Sequence, residues 1–249
     1  MIVSSKKQLV PRASAQNVLL ATFRSWAFSS ALACWTALLG LFIPLLVVLG
    51  SPPRRVRQVS RLWARGTLVL SRCLLGIRHS VKGWENRSVE PSLILCNHQS
   101  AWETIAALVL FPDVAIVAKR ELLKIPVFGW FLKHSPMIII DRASSVQSIR
   151  AMARESQAVL AAGRSVLIFP EGTRVAPDQT ISFRRGIELL LRVVKAPVLP
   201  VVHDAGRYWR SDAKAPGTIQ VRVLPALDRR RSPSQLVAEA EAQMIQHRP

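Results

Sequence analysis

Trp26 to Gly50 is a run of 25 residues without one charged side chain. As a single helix it would be about 37 Å long, against a hydrocarbon core of roughly 30 Å, so it can cross a bilayer or fold back within one leaflet. Pro44 lies inside the run and can kink it, while Ser29, Ser30 and Thr36 are tolerated in lipid because they bond to the helix backbone. The run starts too late and extends too far for a cleaved signal peptide.

The charge around this run is one-sided. Residues 1 to 84 hold 12 Lys or Arg and no Asp or Glu, so this third supplies +12 of the formal +19. A block of that kind seeks a polyanion, and the adjacent apolar run selects phospholipid headgroups over nucleic acid. Lys6, Lys7, Arg12 and Arg24 precede the run, and Arg54, Arg55, Arg57, Arg61 and Arg65 follow it. Orientation by flanking positive charge is therefore nearly tied, as it would be for a re-entrant hairpin. From Arg54 to Ile77 the pattern is amphipathic. Arg54, Arg57, Arg61, Arg65 and Arg72 fall within an arc of roughly 80°, with Val59, Leu62, Trp63, Leu70, Leu74 and Ile77 opposite. The pattern predicts a helix on an anionic interface and makes residues 1–80 a membrane-anchoring unit, with 81–249 as the catalytic domain.

The chemistry begins at Ser92 to Cys96, a short apolar run that reads as a buried strand and leads directly into Asn97-His98-Gln99-Ser100-Ala101-Trp102-Glu103-Thr104. On one continuous helix His98 and Glu103 would stand about 140° apart, so they meet only if the chain turns between them. Ser100 followed three positions later by Glu103, ahead of an apolar run to Phe111, is a capping-box pattern that starts a helix near Ser100. A neutral imidazole whose second nitrogen is held by an acid can take a proton from a hydroxyl. Taken alone, the same residues also describe a capping glutamate beside a loop histidine, and capping competes with orienting the ring.

Downstream, short apolar runs alternate with helical patterns. Val114–Ala118 predicts a strand that delivers Lys119 at its carboxyl end. Pro126 is placed to open a short helix, whose Trp130 and Phe131 belong either to the core or to the wall of a slot. Met137–Ile140 and Ser165–Phe169 predict further strands, separated by a helix from Val146 to Ala162 that Gly163 closes. Phe169 runs into Pro170-Glu171-Gly172-Thr173-Arg174, where Gly172 permits a tight turn and Arg174 offers a planar fork of donors to a phosphate. A helix over Gly186–Val194, strands over Pro197–Val202 and Ile219–Leu224, and a closing helix over Ser234–Gln246 complete the chain. This order predicts an α/β fold with a mixed, largely parallel sheet flanked by helices, whose ligands bind beyond the carboxyl ends of the strands. His98, Lys119 and Glu171 to Arg174 all fall at those ends. Cys34, Cys73 and Cys96 are far apart in apolar surroundings, and neither they nor the histidines have metal-ligand spacing.

Four stretches, Asn97–Thr104, Lys119–Trp130, Phe169–Arg174 and Leu199–Tyr208, resemble the ordered blocks of the glycerolipid acyltransferases, the bacterial 1-acylglycerol-3-phosphate acyltransferases among them. The resemblance covers roughly Val81 to Val223. It implies His98 as general base, Glu103 as its orienting acid, phosphate contacts from Arg174 and Lys119, and site shaping by Glu171, Gly172, Thr173 and Pro200. The family's usual aspartate is Glu103 here, one methylene longer. The implied reaction moves a fatty acyl group from acyl-CoA or acyl carrier protein to the sn-2 hydroxyl of lysophosphatidic acid, without cofactor, metal or acyl-enzyme. Another lyso-lipid acceptor, such as a lyso-ornithine lipid, fits the same blocks. The implied location is the inner membrane, with the catalytic domain facing the cytoplasm.

Overall fold

Helix α1 (Ala15–Gly40) and helix α2 (Phe42–Val48) carry the uncharged run, and the break between them falls at Gly40-Leu41 instead of at Pro44. Pro44 lies in the first turn of α2, where its missing N–H costs no helical bond, so it starts a helix there and does not kink one. The structure is a computed structural model and describes residues 15–141, 146–210 and 214–249; Lys6, Lys7, Arg12 and Arg142 lie outside them. Leu19–Val48 is long and apolar enough to cross a membrane, and its Leu19, Phe23, Trp26 and Leu41 are exposed.

Helix α3 (Pro53–Leu70) has Pro at its first position, continues into a π-helical turn at Ser71–Leu75, and stops at Gly76, whose φ of 70° breaks the helical path. Strand β1 (Ile77–Lys82) follows at once, so Ile77 is a strand residue and position 80 falls inside β1. The arginine stripe of α3 is split. Arg54, Arg55, Arg65 and Arg72 are exposed, but Arg57 turns inward to Asp113 at 3.1 Å and Arg61 donates to the Leu108 carbonyl at 3.3 Å. Leu62 and Val69 face outward instead.

Helices α1 and α3 lie close. The Trp35 indole donates to the Trp63 carbonyl at 3.0 Å, and the Trp63 indole donates to Thr36 Oγ1 at 2.9 Å. Gly66 makes this approach possible, because a Cβ there would meet the Trp35 ring at 2.4 Å. Phe28 of α1 reaches the α/β body itself and meets the Trp209 ring edge-on at 5.3 Å.

The body comprises strand β2 (Leu93–Cys96), helix α4 (Trp102–Leu110), strand β3 (Ala115–Lys119), helix α5 (Phe128–His134), strand β4 (Ile138–Ile140) and helix α6 (Val146–Ala161). It continues with strand β5 (Val166–Ile168), helix α7 (Gly186–Val193), strand β6 (Val198–His203), strand β7 (Gly217–Val223) and helix α8 (Pro233–Gln246). The strand order is β1-β7-β6-β2-β5-β3-β4, with β6–β7 antiparallel and the other pairs parallel. Side chains of β2 alternate between two cores. Ile94 and Cys96 join Phe28, Leu68 and Trp102 on one face, while Leu93 and Leu95 join Met152, Leu190 and Leu236 on the other. Trp102 is 1% exposed, and its truncation to Ala would cost about 3–5 kcal/mol. The sheet thus has helices on both faces, and its carboxyl edge at Cys96, Ile168 and Lys119 is where the chain leaves for the loops that carry the chemistry.

Candidate active site

His98 is the second residue beyond β2, and its main chain is fixed at both ends by the loop that follows β5. Its N–H donates to Glu171 Oε2 at 2.7 Å, and its carbonyl accepts from the Val175 N–H at 2.8 Å. Gly172, with φ 71°, supplies the turn between them and packs on Arg184, whose Cγ would lie 3.1 Å from an added Cβ. The imidazole stacks on the Phe169 ring with centroids 4.1 Å apart and planes 19° from parallel. Only the ring's orientation is then left to set, and Glu103 sets it.

Glu103 Oε1 lies 2.8 Å from His98 Nδ1 and also accepts the main-chain N–H groups of Gln99 and Ser100, at 2.8 and 2.7 Å. Glu103 Oε2 accepts the Ser100 hydroxyl at 2.5 Å. Helix α4 starts at Trp102, one residue later than a cap at Ser100 predicts, and the Trp102 N–H donates to Ser100 Oγ at 3.0 Å. Capping the turn and orienting the ring are therefore not alternatives, because a carboxylate has lone pairs enough for both. The longer side chain of Glu103 reaches His98 from the first turn of α4.

Burial of Glu103 opposes its ionisation, but the imidazole of His203, the hydrogen bond and charge of His98, and the Ser100 hydroxyl outweigh it and hold the carboxyl down at about 2. An ionised Glu103 only accepts, so His98 Nδ1 carries the hydrogen and Nε2 is left to accept a proton. Glu171 goes the other way. Burial foremost, and the nearby Glu103 charge, push its carboxyl up to about 8 in spite of the bond from His98 and the distant Arg248. Two carboxyl groups so separated leave one negative charge beside the imidazole at neutral pH.

A cavity of about 550 Å³ opens beside His98. Its polar lining includes His98, Lys119, Thr173 and Arg174; its apolar lining includes Leu39 of α1, Trp63 of α3, Ile105 of α4 and Phe131 of α5. Of the aromatic pair that the sequence left between core and slot, Phe131 lines the cavity and Trp130 stacks on His134 at 4.3 Å. Glu171 and Gly172 act from behind the cavity, through the His98 main chain and the turn. Pro200 is buried in β6, opposite Leu95 of β2.

Sequence reasoning missed Phe169 as the platform for the ring, Asn97 and His203 beneath it, and the share of α1 and α3 in the cavity wall. The Asn-His doublet after an apolar strand was a usable signal for Asn97. The others depend on contacts between distant segments.

A His–Glu pair at the carboxyl edge of a largely parallel sheet thus opens on a mainly apolar cavity that Lys119 and Arg174 also line, a site of the kind an acyl-transfer enzyme needs, and residues 78–204 match the acyltransferase family model. The chain belongs to that family. Over 175 residues it is 43% identical to the 1-acyl-sn-glycerol-3-phosphate acyltransferase of Pseudomonas aeruginosa, covering 70% of this chain and 68% of that one. It is 32% identical over 191 residues to the mouse 1-acyl-sn-glycerol-3-phosphate acyltransferase alpha, covering 74% of this chain and 65% of the mouse enzyme. The crystal structure of the 1-acyl-sn-glycerophosphate acyltransferase PlsC from Thermotoga maritima has the same fold, with a TM-score of 0.67, 21% identity, and 93% of this chain and 94% of that one covered.

Proposed function

We propose that this chain transfers a fatty acyl group from an acyl thioester to the sn-2 hydroxyl of 1-acyl-sn-glycerol-3-phosphate and so makes phosphatidic acid. The observation that carries the reading is the His98–Glu103 pair at the 550 Å³ cavity, with Lys119 and Arg174 in the same lining. The names of the relatives support the acceptor.

His98 Nε2 removes the hydroxyl proton as the oxygen attacks the thioester carbonyl, and Glu103 stabilises the imidazolium that forms. The tetrahedral intermediate then collapses, the carbon–sulfur bond breaks, and the thiolate takes the proton from His98. No acyl-enzyme is needed. Arg174 and Lys119 hold the phosphate of the acceptor, and the apolar cavity takes an acyl chain. The donor is acyl-CoA or acyl carrier protein, whose thioester chemistry is the same. The outward apolar face of α1 and α2 seats in the inner membrane, with the exposed arginines of α3 at its anionic cytoplasmic surface, so that acceptor and product exchange directly with the lipid.

Purified protein given 1-acyl-sn-glycerol-3-phosphate with each donor, with products resolved by mass, tests the reading. Phosphatidic acid with one or both donors is the expected product. Turnover only with a phosphate-free lyso-lipid would overturn the acceptor, and no turnover with any acceptor would overturn the activity.

A further inference from the structure

Behind the catalytic pair lies a second imidazole that the mechanism does not use. His203, the last residue of β6, is 1% exposed, and its Nε2 lies 4.0 Å from Glu103 Oε2 on the side of the carboxylate away from His98. Both of its ring nitrogens are engaged. Nδ1 accepts the Ala205 N–H at 3.2 Å, and Nε2 is 2.8 Å from the Asn97 carbonyl, which can only accept. The hydrogen therefore sits on Nε2, and a second proton on Nδ1 would face the Ala205 N–H. The Asn97 side chain returns the contact, donating to the His203 carbonyl and accepting the His203 N–H, each at 2.9 Å. Three hydrogen bonds thus join the ends of β2 and β6 at the residue immediately before His98.

We propose that His203 is a positioning residue for acyl transfer: as an Nε2–H donor that is neutral near pH 7 it fixes the Asn97 main chain, and so His98. The inference rests on His98 and Glu103 acting as base and acid. Burial and the His98 imidazole favour the neutral ring and together outweigh Glu103, the Asn97 carbonyl and Asp204, which pull toward the protonated one, so its pKa is lowered. Trp102 presents its ring at 6.4 Å, His98 lies across Glu103, and the neighbouring Asp204 carboxylate is held by the Gln220 N–H at 2.8 Å. Two imidazoles flank one carboxylate, and only the outer one is free to receive a proton. The proton taken from the acceptor hydroxyl then stays on His98, within reach of the leaving thiolate, and is not passed inward.

Kinetics of His203→Leu and His203→Gln, set beside nitrogen NMR of the full-length protein labelled with ¹⁵N-histidine in micelles, test the proposal. His203→Leu removes both polar contacts at similar bulk, and kcat should fall on the order of 10²-fold with KM for the acceptor held within about twofold. His203→Gln restores a donor toward Asn97 and should recover most of the loss, which a purely space-filling ring would not require. A folded His203→Leu variant with unchanged kcat would overturn the proposal. The resonance missing from His203→Gln assigns His203 in the wild type and needs no turnover. It should show the Nε2–H tautomer without titration between about pH 5 and 8. Titration in that window, or hydrogen on Nδ1, would overturn the proposal even if His203→Leu does not fold. A wild type without acyl-transfer activity would instead defeat the proposed function and leave the tautomer result standing.

Discussion

The carboxyl of Glu171 reaches across 73 positions of sequence to accept the main-chain N–H of His98 at 2.7 Å. The Glu of the Pro-Glu-Gly-Thr-Arg turn therefore meets His98 at its backbone and not at its ring. Because the folded carboxyl is raised to about 8, the protonated form favours the fold. Its contribution is complete below the ordinary carboxyl value near 4.5 and is lost as the pH rises through 8. Glu171→Gln keeps an acceptor for His98 and removes the titration. The thermal midpoint of Glu171→Gln should fall less than that of the wild type between pH 5 and 8, and parallel curves from calorimetry would place the ionisation elsewhere.

Glu103→Gln separates charge from shape at the catalytic pair. Its amide oxygen can still accept from His98, Gln99 and Ser100, while the negative charge that stabilises the imidazolium is gone. Turnover should drop by a factor on the order of 10²–10⁴, as when the acid of a His-acid pair is neutralised. Glu103→Asp should keep part of the rate, limited by the shorter reach from α4. Wild-type turnover in a folded Glu103→Gln would leave Glu103 as a capping residue only.

Arg174 is exposed at the rim of the cavity, so Arg174→Ala should leave the thermal midpoint unchanged. Losing a charge-assisted bond to phosphate costs on the order of 1.5–3 kcal/mol, which raises KM for the acceptor by about ten- to a hundredfold. Steady-state kinetics with kcat and KM resolved checks the expectation. An unchanged KM would assign the phosphate to other groups.

Leu19, Phe23 and Trp26 are each about 70% exposed on one side of α1, away from Phe28. Replacing all three by Ser should release the protein from anionic vesicles in a flotation assay, because burying each apolar side chain contributes ~1.5–3 kcal/mol. Retention on the vesicles, with the fold intact, would shift membrane binding to α2 and α3.

Most of the sheet was legible in the sequence because buried parallel strands are continuous apolar runs, and β2 to β7 fall within two residues of where such runs place them. Strand β1 was not. Ile77-Arg78-His79-Ser80-Val81-Lys82 is an edge strand with charged side chains, and the helical period of α3 runs on to Ile77. The split of the arginine stripe was equally hidden, since Arg57 and Arg61 find partners 56 and 47 positions away. At the site, His98 and Glu103 lie five positions apart and local rules bring them within reach of each other. The groups that hold them in place, Glu171 and His203, come from the loop after β5 and from the end of β6, and only the folded sheet brings them together.

The contact of Phe28 with Trp209 has a consequence for how the protein is made. Phe28 leaves the ribosome about 180 positions before its ring partner, a gap of roughly 10–40 s at ordinary elongation rates. Early in that interval α1 has neither α3 nor the sheet to cover it, because both follow it in the chain. The cavity wall to which Leu39 of α1 contributes is complete only when the chain has been made as far as Arg174, so the first helix waits for the residues that give its inner face a purpose.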